Sequence, residues 1–160
     1  MTGTREHLLP VRVYLEDTDA QGFVYHANYL RFFERARSEI LDAAGYPMGD
    51  IAAGSHRFVV DELRIRFRAP ARLGERLDIR TRVERSSGYR VIFRQEATKA
   101  ADAATLATAD VDVVSLDPNG TLQELPASLS AIWTAGGSGA PGRHLGRGPT
   151  AESVGGSKRP

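Results

Sequence analysis

Residues 28–44 read NYLRFFERARSEILDAA and carry the clearest helical pattern in the chain. Apolar side chains recur at helical spacing and form one stripe, made of Tyr29, Phe33, Ala36, Ile40 and Ala44. Three further apolar residues widen the stripe: Leu30, Phe32 and Leu41. We therefore expect a long helix that other parts of the protein cover on more than half of its circumference. Gly45 follows as a typical helix end.

Strand patterns stand on both sides of this helix. Before it, Leu9, Val11, Val13 and Leu15 alternate with polar residues, which predicts a strand with one buried face. After a loop through Gly54, four strand-like runs follow at residues 58–68, 75–85, 89–99 and 105–116. Hairpins are the natural link between these runs, with turn residues at 86–88 and 118–120. A short helix is predicted over residues 126–133.

This order of elements predicts an α+β fold, because one long helix and one antiparallel sheet bury their apolar faces against each other in a single core. We expect one domain over residues 1–134, with the central helix wrapped by a curved five-stranded sheet. Residues 135–160 are rich in Gly, Pro and Ser and net basic, which predicts a flexible tail. A fold this small leaves a sheet edge uncovered, so dimerisation is expected.

Composition limits the possible functions. The 160 residues are 41% hydrophobic and 26% charged, and the chain contains no cysteine, which excludes disulfides, thiolate metal sites and a cysteine nucleophile. No apolar stretch reaches membrane length and no signal peptide is visible, so a cytoplasmic protein without a membrane span is expected. Outside the tail the net charge is slightly negative, which argues against a nucleic-acid partner. Motifs for a metal or a cofactor are absent from the sequence.

The chemistry is expected where acidic residues directly precede the long helix. Residues 16–30 read EDTDAQGFVYHANYL. A carboxylate in this turn lies near backbone N–H groups that have no partner within the helix, at the positive end of the helix dipole. Thioester hydrolysis requires this combination, a carboxylate on one side of the carbonyl group and oriented N–H donors on the other.

Residues 16–37, EDTDAQGFVYHANYLRFFERAR, resemble the signature of the 4-hydroxybenzoyl-CoA thioesterase family, and most closely its branch of Tol-Pal-associated acyl-CoA thioesterases. The resemblance covers residues 8–134, including the turn at 69–74, although Glu75 stands where the family usually has aspartate. It implies a hotdog fold and a homodimer or homotetramer with sites at the dimer interface. It also implies that Asp19 is the catalytic carboxylate and that the main-chain N–H of His26 binds the thioester oxygen.

The other residues of this segment have alternative interpretations. Asp19 in isolation would be read as a capping acid, and the His26 side chain as a proton carrier or a core group. Asp17 and Gly22 are interpreted as turn-forming residues, and Tyr25 as a residue that shapes the site by packing.

Three acids outside this segment were also considered. Glu34 and Glu39 on the helix are interpreted as solvated acids. Asp61 shares the parity of Leu63 and Ile65 and would point inward, toward a site across the dimer, unless a β-bulge shifts the register of its strand.

The predicted function is hydrolysis of an acyl-CoA to a free acid and CoA, without a cofactor. Two alternatives remain: an acyl-carrier-protein thioesterase or hotdog dehydratase of a biosynthetic pathway, and a non-catalytic acyl-CoA binding protein. Arginines on the predicted sheet are candidates for contacts with the CoA phosphates: Arg64, Arg66, Arg68, Arg80, Arg82, Arg90 and Arg94. The sequence does not choose among them, and it does not identify the acyl group.

Overall fold

The structure, a computed structural model, describes residues 6–47, 49, 51 and 54–129. In chain order its elements are strand β1 (His7–Arg12), a short 3₁₀ helix (Leu15–Asp17), helix α1 (Asn28–Ala43), and strands β2 (Arg57–Phe67), β3 (Arg76–Ser87), β4 (Arg90–Lys99) and β5 (Thr105–Leu116). The predicted α+β fold with one long helix and a five-stranded antiparallel sheet is confirmed. The predicted tail, the domain boundary at residue 134 and the end of the predicted 126–133 helix lie outside the described residues.

The strand order in the sheet is β1-β3-β4-β5-β2. The expected hairpins between β3 and β4 and between β4 and β5 are present, but the expected hairpin between β2 and β3 is wrong. Strand β2 pairs with β5, and β3 pairs with β1 instead. The N–H groups of Arg68 and Ala69 bond to Leu106 of β5, and the N–H of Gly74 bonds to Val13. Residues 68–75 therefore connect the edge strand β2 with β3, which lies three strand positions away beside β1.

Helix α1 packs its apolar stripe on one face of the sheet. Phe32, Phe33 and Ala36 are completely buried, and the sheet contributes completely buried Leu77 and Ile79. Burial of each large apolar side chain stabilises the fold by about 1.5–3 kcal/mol. Gly45 adopts φ +85° after the helix, which confirms it as the residue that ends α1.

Two residues of the predicted apolar pattern are exposed instead. Leu15 is 75% exposed because β1 ends at Arg12 and the chain then turns through the 3₁₀ helix, which breaks the period of two. Leu30 is 38% exposed, so the apolar stripe does not widen at this point of the first turn of α1.

Glu75 is the last residue of the segment 68–75, directly before β3. One of its carboxylate oxygens accepts the Arg72 N–H at 2.9 Å, and the other accepts the Lys99 ammonium group at 3.0 Å. Its main-chain oxygen accepts the N–H of Val13. Burial acts to raise the pKa of Glu75, but the Arg72 N–H and the Lys99 charge outweigh it and hold the pKa below its ordinary value of 4.5.

We expect Glu75→Gln to lower the free energy of unfolding by about 1 kcal/mol at neutral pH, since it removes a charge that two donors stabilise. A lowered folded-state pKa stabilises above the unfolded-state value, and this contribution disappears as pH falls through the folded-state pKa. Urea denaturation of both proteins at neutral and at acidic pH measures the difference, with exposed Glu39→Gln as control. A difference that grows toward acidic pH would contradict the assignment.

Candidate active site

Asp19 begins a tight turn that the residues around it close. Its N–H bonds to the Phe23 oxygen at 2.9 Å, and the Gly22 N–H returns to the Asp19 oxygen at 3.0 Å. Gly22 has φ +78°, a conformation that glycine adopts at little cost. One Asp19 carboxylate oxygen accepts the Gln21 N–H at 2.8 Å. The carboxylate is therefore held by its own turn, and Asp19 is half-buried.

The main-chain oxygen of Asp17 joins this acidic turn to helix α1. It accepts the Tyr25 N–H at 2.9 Å and the side-chain amide of Asn28 at 2.9 Å. The Asp17 carboxylate points back toward the chain and accepts the Tyr14 N–H at 2.8 Å. Both Asp17 and Asn28 are buried. Two residues before Asp19, the chain is thus fixed to the first residue of α1.

The start of α1 has no side-chain cap. The N-cap residue is Ala27, and no side chain bonds to the first-turn N–H groups. Asp19 bonds within its own turn, so it does not act as a capping acid. Within the described residues, the N–H of His26 has no hydrogen-bond acceptor. The N–H groups of Asn28 and Leu30 donate to main-chain oxygens three residues earlier, so it is the N–H of His26 that is a free donor at the positive end of the helix dipole.

A cavity of about 290 Å³ opens beside this helix start. Its walls are Val24, His26, Tyr29, Phe67 and residues 68–70. The His26 and Phe67 rings lie 6.3 Å apart, the Tyr29 and Phe67 rings 5.7 Å apart, and Tyr25 contacts the His26 ring from outside. Sequence reasoning did not identify Phe67 as part of this site, because it becomes a neighbour of His26 only through the packing of β2 near α1.

Tyr29 is the most buried aromatic residue of this cavity wall, at 3% exposure. Burial raises the pKa of its hydroxyl group, and the nearby Ala71 N–H offsets only part of the rise. That N–H does not reach hydrogen-bond geometry, and the buried hydroxyl has no partner among the described residues. Tyr29 therefore stays protonated at neutral pH and cannot serve as a base there.

Asp61 lies in a β-bulge. The register of β2 with β5 shifts between Val60 and Glu62, so Asp61 leaves the alternation of Leu63 and Ile65. Its exposed carboxylate accepts a hydrogen bond from Arg90 at 2.8 Å, and Arg90 also pairs with Asp112. The structure thus places Asp61 in an ion-pair cluster of its own chain, away from Asp19. A role across a dimer stays a prediction.

Most of the candidate arginines pair with acids on the sheet: Arg64 with Glu62, Arg80 with Glu6, Arg82 with Glu84, and Arg94 with Asp110. Arg68 lines the cavity beside His26. Glu34 and Glu39 are exposed on α1, as expected, and Glu34 accepts a hydrogen bond from Ser38. Within the part of the chain that is described, no cluster of acids and histidines is arranged to hold a metal ion, and none of the helices there has the length and apolarity of a membrane span.

Comparisons with known proteins agree on one family. The model of the "Thioesterase-like superfamily" matches residues 13–132. "Acyl-CoA thioester hydrolase YbgC" of Escherichia coli O6:H1 is 42% identical over 109 residues, which are 68% of this chain and 81% of that protein. "Acyl-CoA thioesterase YbgC" of Haemophilus influenzae is 38% identical over 124 residues, 75% of this chain and 91% of that protein.

A solved structure supports the same assignment. The crystal structure of a probable thioesterase from Bartonella henselae superposes with a TM-score of 0.72 at 37% identity, and the match covers 76% of this chain and 100% of that one. The hotdog fold implied by the sequence resemblance is thereby confirmed.

We expect Asn28→Ala to reduce the free energy of unfolding by about 1–3 kcal/mol, because it removes a buried hydrogen bond that joins the helix to the acidic turn. Chemical denaturation monitored by circular dichroism measures the loss. Asn119→Ala, at an exposed turn position, is the matched control and is expected to change stability by a few tenths of a kcal/mol, about the size typical of surface substitutions. Equal stability of the two variants would show that the Asn28 bond contributes nothing.

Proposed function

This chain belongs to the thioesterase-like superfamily and is a thioester hydrolase, and we propose that it hydrolyses acyl-CoA to a free acid and CoA with Asp19 as the catalytic carboxylate. The observation that carries the proposal is the pair of hydrogen bonds that the Asp17 main-chain oxygen accepts from Tyr25 and Asn28. These bonds link the Asp19 turn to the uncapped start of α1. The turn that carries the Asp19 carboxylate is thereby bonded to the part of the chain that carries the free N–H of His26.

The proposed reaction uses these groups in sequence. Asp19 takes a proton from water as the water oxygen attacks the thioester carbon, or attacks that carbon itself to form an anhydride that water then hydrolyses. The negative charge that develops on the carbonyl oxygen is stabilised by the N–H of His26 and the dipole of α1. The C–S bond then breaks and CoA leaves as a thiolate. Because a thiol is far more acidic than an alcohol, this departure needs little help from a general acid.

The cavity beside His26 supports this assignment of roles. The cavity is mostly apolar, and His26 forms part of its wall. A carbonyl group bound beside the free N–H of His26 is therefore shielded from part of the solvent. Inside such a site a hydrogen bond to a charged oxygen is stronger than in water. The His26 side chain is exposed and contacts Tyr25 and Phe67, which suits a role in orienting the substrate.

The proposal includes assembly into a homodimer or homotetramer. Strand β2 is an edge strand of the sheet and exposes Val59, Val60 and Phe67. An exposed apolar edge strand is a typical surface for pairing with a second chain. Phe67 also lines the cavity, and Asp61 lies on the same strand, so a partner on this edge would stand close to the site.

Replacing Asp19 with Asn keeps the size of the side chain and removes its basic oxygen. We expect kcat for acyl-CoA hydrolysis to fall by about 10²–10⁴-fold, the usual contribution of a positioned base, with unchanged folding. Release of free thiol from a panel of acyl-CoA substrates measures the effect. Asp42→Asn, on the exposed side of α1, is the control and is expected to retain full activity.

The same thiol-release assay distinguishes a thioesterase from the two alternative functions. A dehydratase would convert 3-hydroxyacyl thioesters to enoyl thioesters without releasing thiol, and an acyl-binding protein would bind the substrates without turnover. Faster hydrolysis of acyl-carrier-protein thioesters than of acyl-CoA would identify the protein as an acyl-carrier-protein thioesterase. Full activity of Asp19→Asn would refute the catalytic role of this carboxylate.

Replacing His26 with Ala tests which part of that residue matters. The variant keeps the main-chain N–H and loses only the exposed ring, so we expect a loss well below that of Asp19→Asn. Loss of an oxyanion donor typically costs about 10²–10³-fold in rate. A decrease of that size in kcat, with folding intact, would show that the imidazole ring and not the N–H group takes part in the reaction.

A further inference from the structure

Arg37 is a buried cation on the sheet-facing side of helix α1. Only 8% of the residue is exposed, although it lies in the middle of the helix. Charged side chains are rarely buried to this extent unless an opposite charge pairs with them. Among the described residues, no carboxylate lies within ion-pair distance of Arg37. Within this part of the chain, the cation has no paired carboxylate to offset its burial.

Within the described part of the chain, the group that Arg37 bonds to is neutral. Its Nη1 donates to the Gln95 side-chain oxygen at 2.8 Å. Gln95 is itself held in place, since its amide nitrogen donates to the Phe33 oxygen at 2.9 Å and to the Thr81 hydroxyl at 2.8 Å. A guanidinium group has five N–H donors in a planar fork. Gln95 thus fixes the direction of Arg37 and leaves most of its donors available.

Arg37 lies in the wall of a second cavity, of about 160 Å³, between α1 and strands β2, β4 and β5. The rest of that wall is mainly apolar and includes Leu41, Phe58, Val91 and Phe93. Two other polar residues line it, Glu34 and Ser38, and they bond to each other at 2.7 Å. Glu34 is exposed, so solvent weakens its attraction to Arg37, but this attraction still acts to raise the pKa of Arg37.

We propose that this cavity receives the far end of an acyl group that carries a carboxylate, and that Arg37 binds this carboxylate. The inference rests on the proposed acyl-CoA hydrolysis and specifies its substrate class. Arg37 lies nine residues beyond Asn28 on α1, which corresponds to about 14 Å along the helix from its uncapped start. The thioester end and the carboxylate end of one elongated substrate would then both lie along the same helix.

The chemistry of the cavity favours this substrate class over a plain acyl chain. A plain chain fills the apolar walls but leaves the guanidinium donors without partners in a dry environment, which is costly. A carboxylate accepts two parallel N–H bonds from one guanidinium group, and these charge-assisted bonds are roughly twice as strong as neutral ones. Burial lowers the pKa of Arg37, and nearby Glu34 partly opposes this. An arginine nevertheless stays charged at neutral pH.

The test compares acyl-CoA substrates of equal chain length that end in a methyl group or in a carboxylate, over short, medium and long chains, with the wild-type protein. We expect kcat/KM to be higher for the carboxylate-ended substrate by about tenfold or more at one chain length, the value of one charge-assisted hydrogen bond. Equal or lower kcat/KM for the carboxylate-ended substrates at every length would overturn the inference and leave the proposed hydrolysis standing. If no substrate releases thiol, the proposed function itself fails.

Substitutions test whether Arg37 causes the preference for carboxylate-ended substrates. Arg37→Met is expected to abolish the preference and Arg37→Lys to keep part of it, while Arg31→Met, at an exposed position of the same helix, keeps all of it. Val60→Phe tests the cavity without disturbing Gln95. Val60 is an exposed wall residue, and the larger ring is expected to lower kcat/KM for the preferred carboxylate-ended substrate by about tenfold. A preference that survives Arg37→Met would overturn the role of Arg37, and an unchanged kcat/KM in Val60→Phe would overturn the assignment of the cavity.

Discussion

The main-chain oxygen of Asp17 accepts two hydrogen bonds, from the Tyr25 N–H and from the side chain of Asn28, and the candidate active site depends on this arrangement. Without it the acidic turn would be a surface loop attached to the helix only through the chain itself. With it, the turn that carries Asp19 is bonded directly to the first residue of α1. Oriented groups of this kind stabilise a developing charge without having to reorganise during the reaction.

The segment that connects β2 with β3 packs beside the hydrogen bonds of the Asp17 oxygen. Residues 68–75 cross the molecule because β2 and β3 lie at separate places in the sheet, and on the way Ala71 accepts the Val24 N–H. Glu75 fixes the end of the crossing through Arg72 and Lys99. The same segment supplies the wall of the cavity beside His26. The strand order of the sheet therefore has a direct consequence for the chemistry, since a β2–β3 hairpin would leave the helix start uncovered.

Residues of helix α1 line both the cavity beside His26 and the cavity beside Arg37. The free N–H of His26 lies at the start of the helix, and its middle buries a guanidinium group whose hydrogen bond, among the described residues, goes to the neutral Gln95. A single straight helix can thus define both the reacting end and the distal end of a substrate. The apolar residues around Arg37 belong to the same core that holds the helix on the sheet, so substrate recognition and folding share these side chains.

The sequence alone predicted the long helix, the strands and the candidate site residues, because local patterns of residues are enough to indicate them. The spacing of apolar residues predicted α1 and the strands, and the run from Glu16 to Arg37 identified the family and singled out Asp19 and His26. Only the tertiary structure decided the pairing of β2 with β5, the bulge at Asp61, the approach of Phe67 to His26 and the burial of Arg37 beside Gln95. These features join residues that are far apart in the chain, and a local pattern contains no information about which distant segment will lie opposite it.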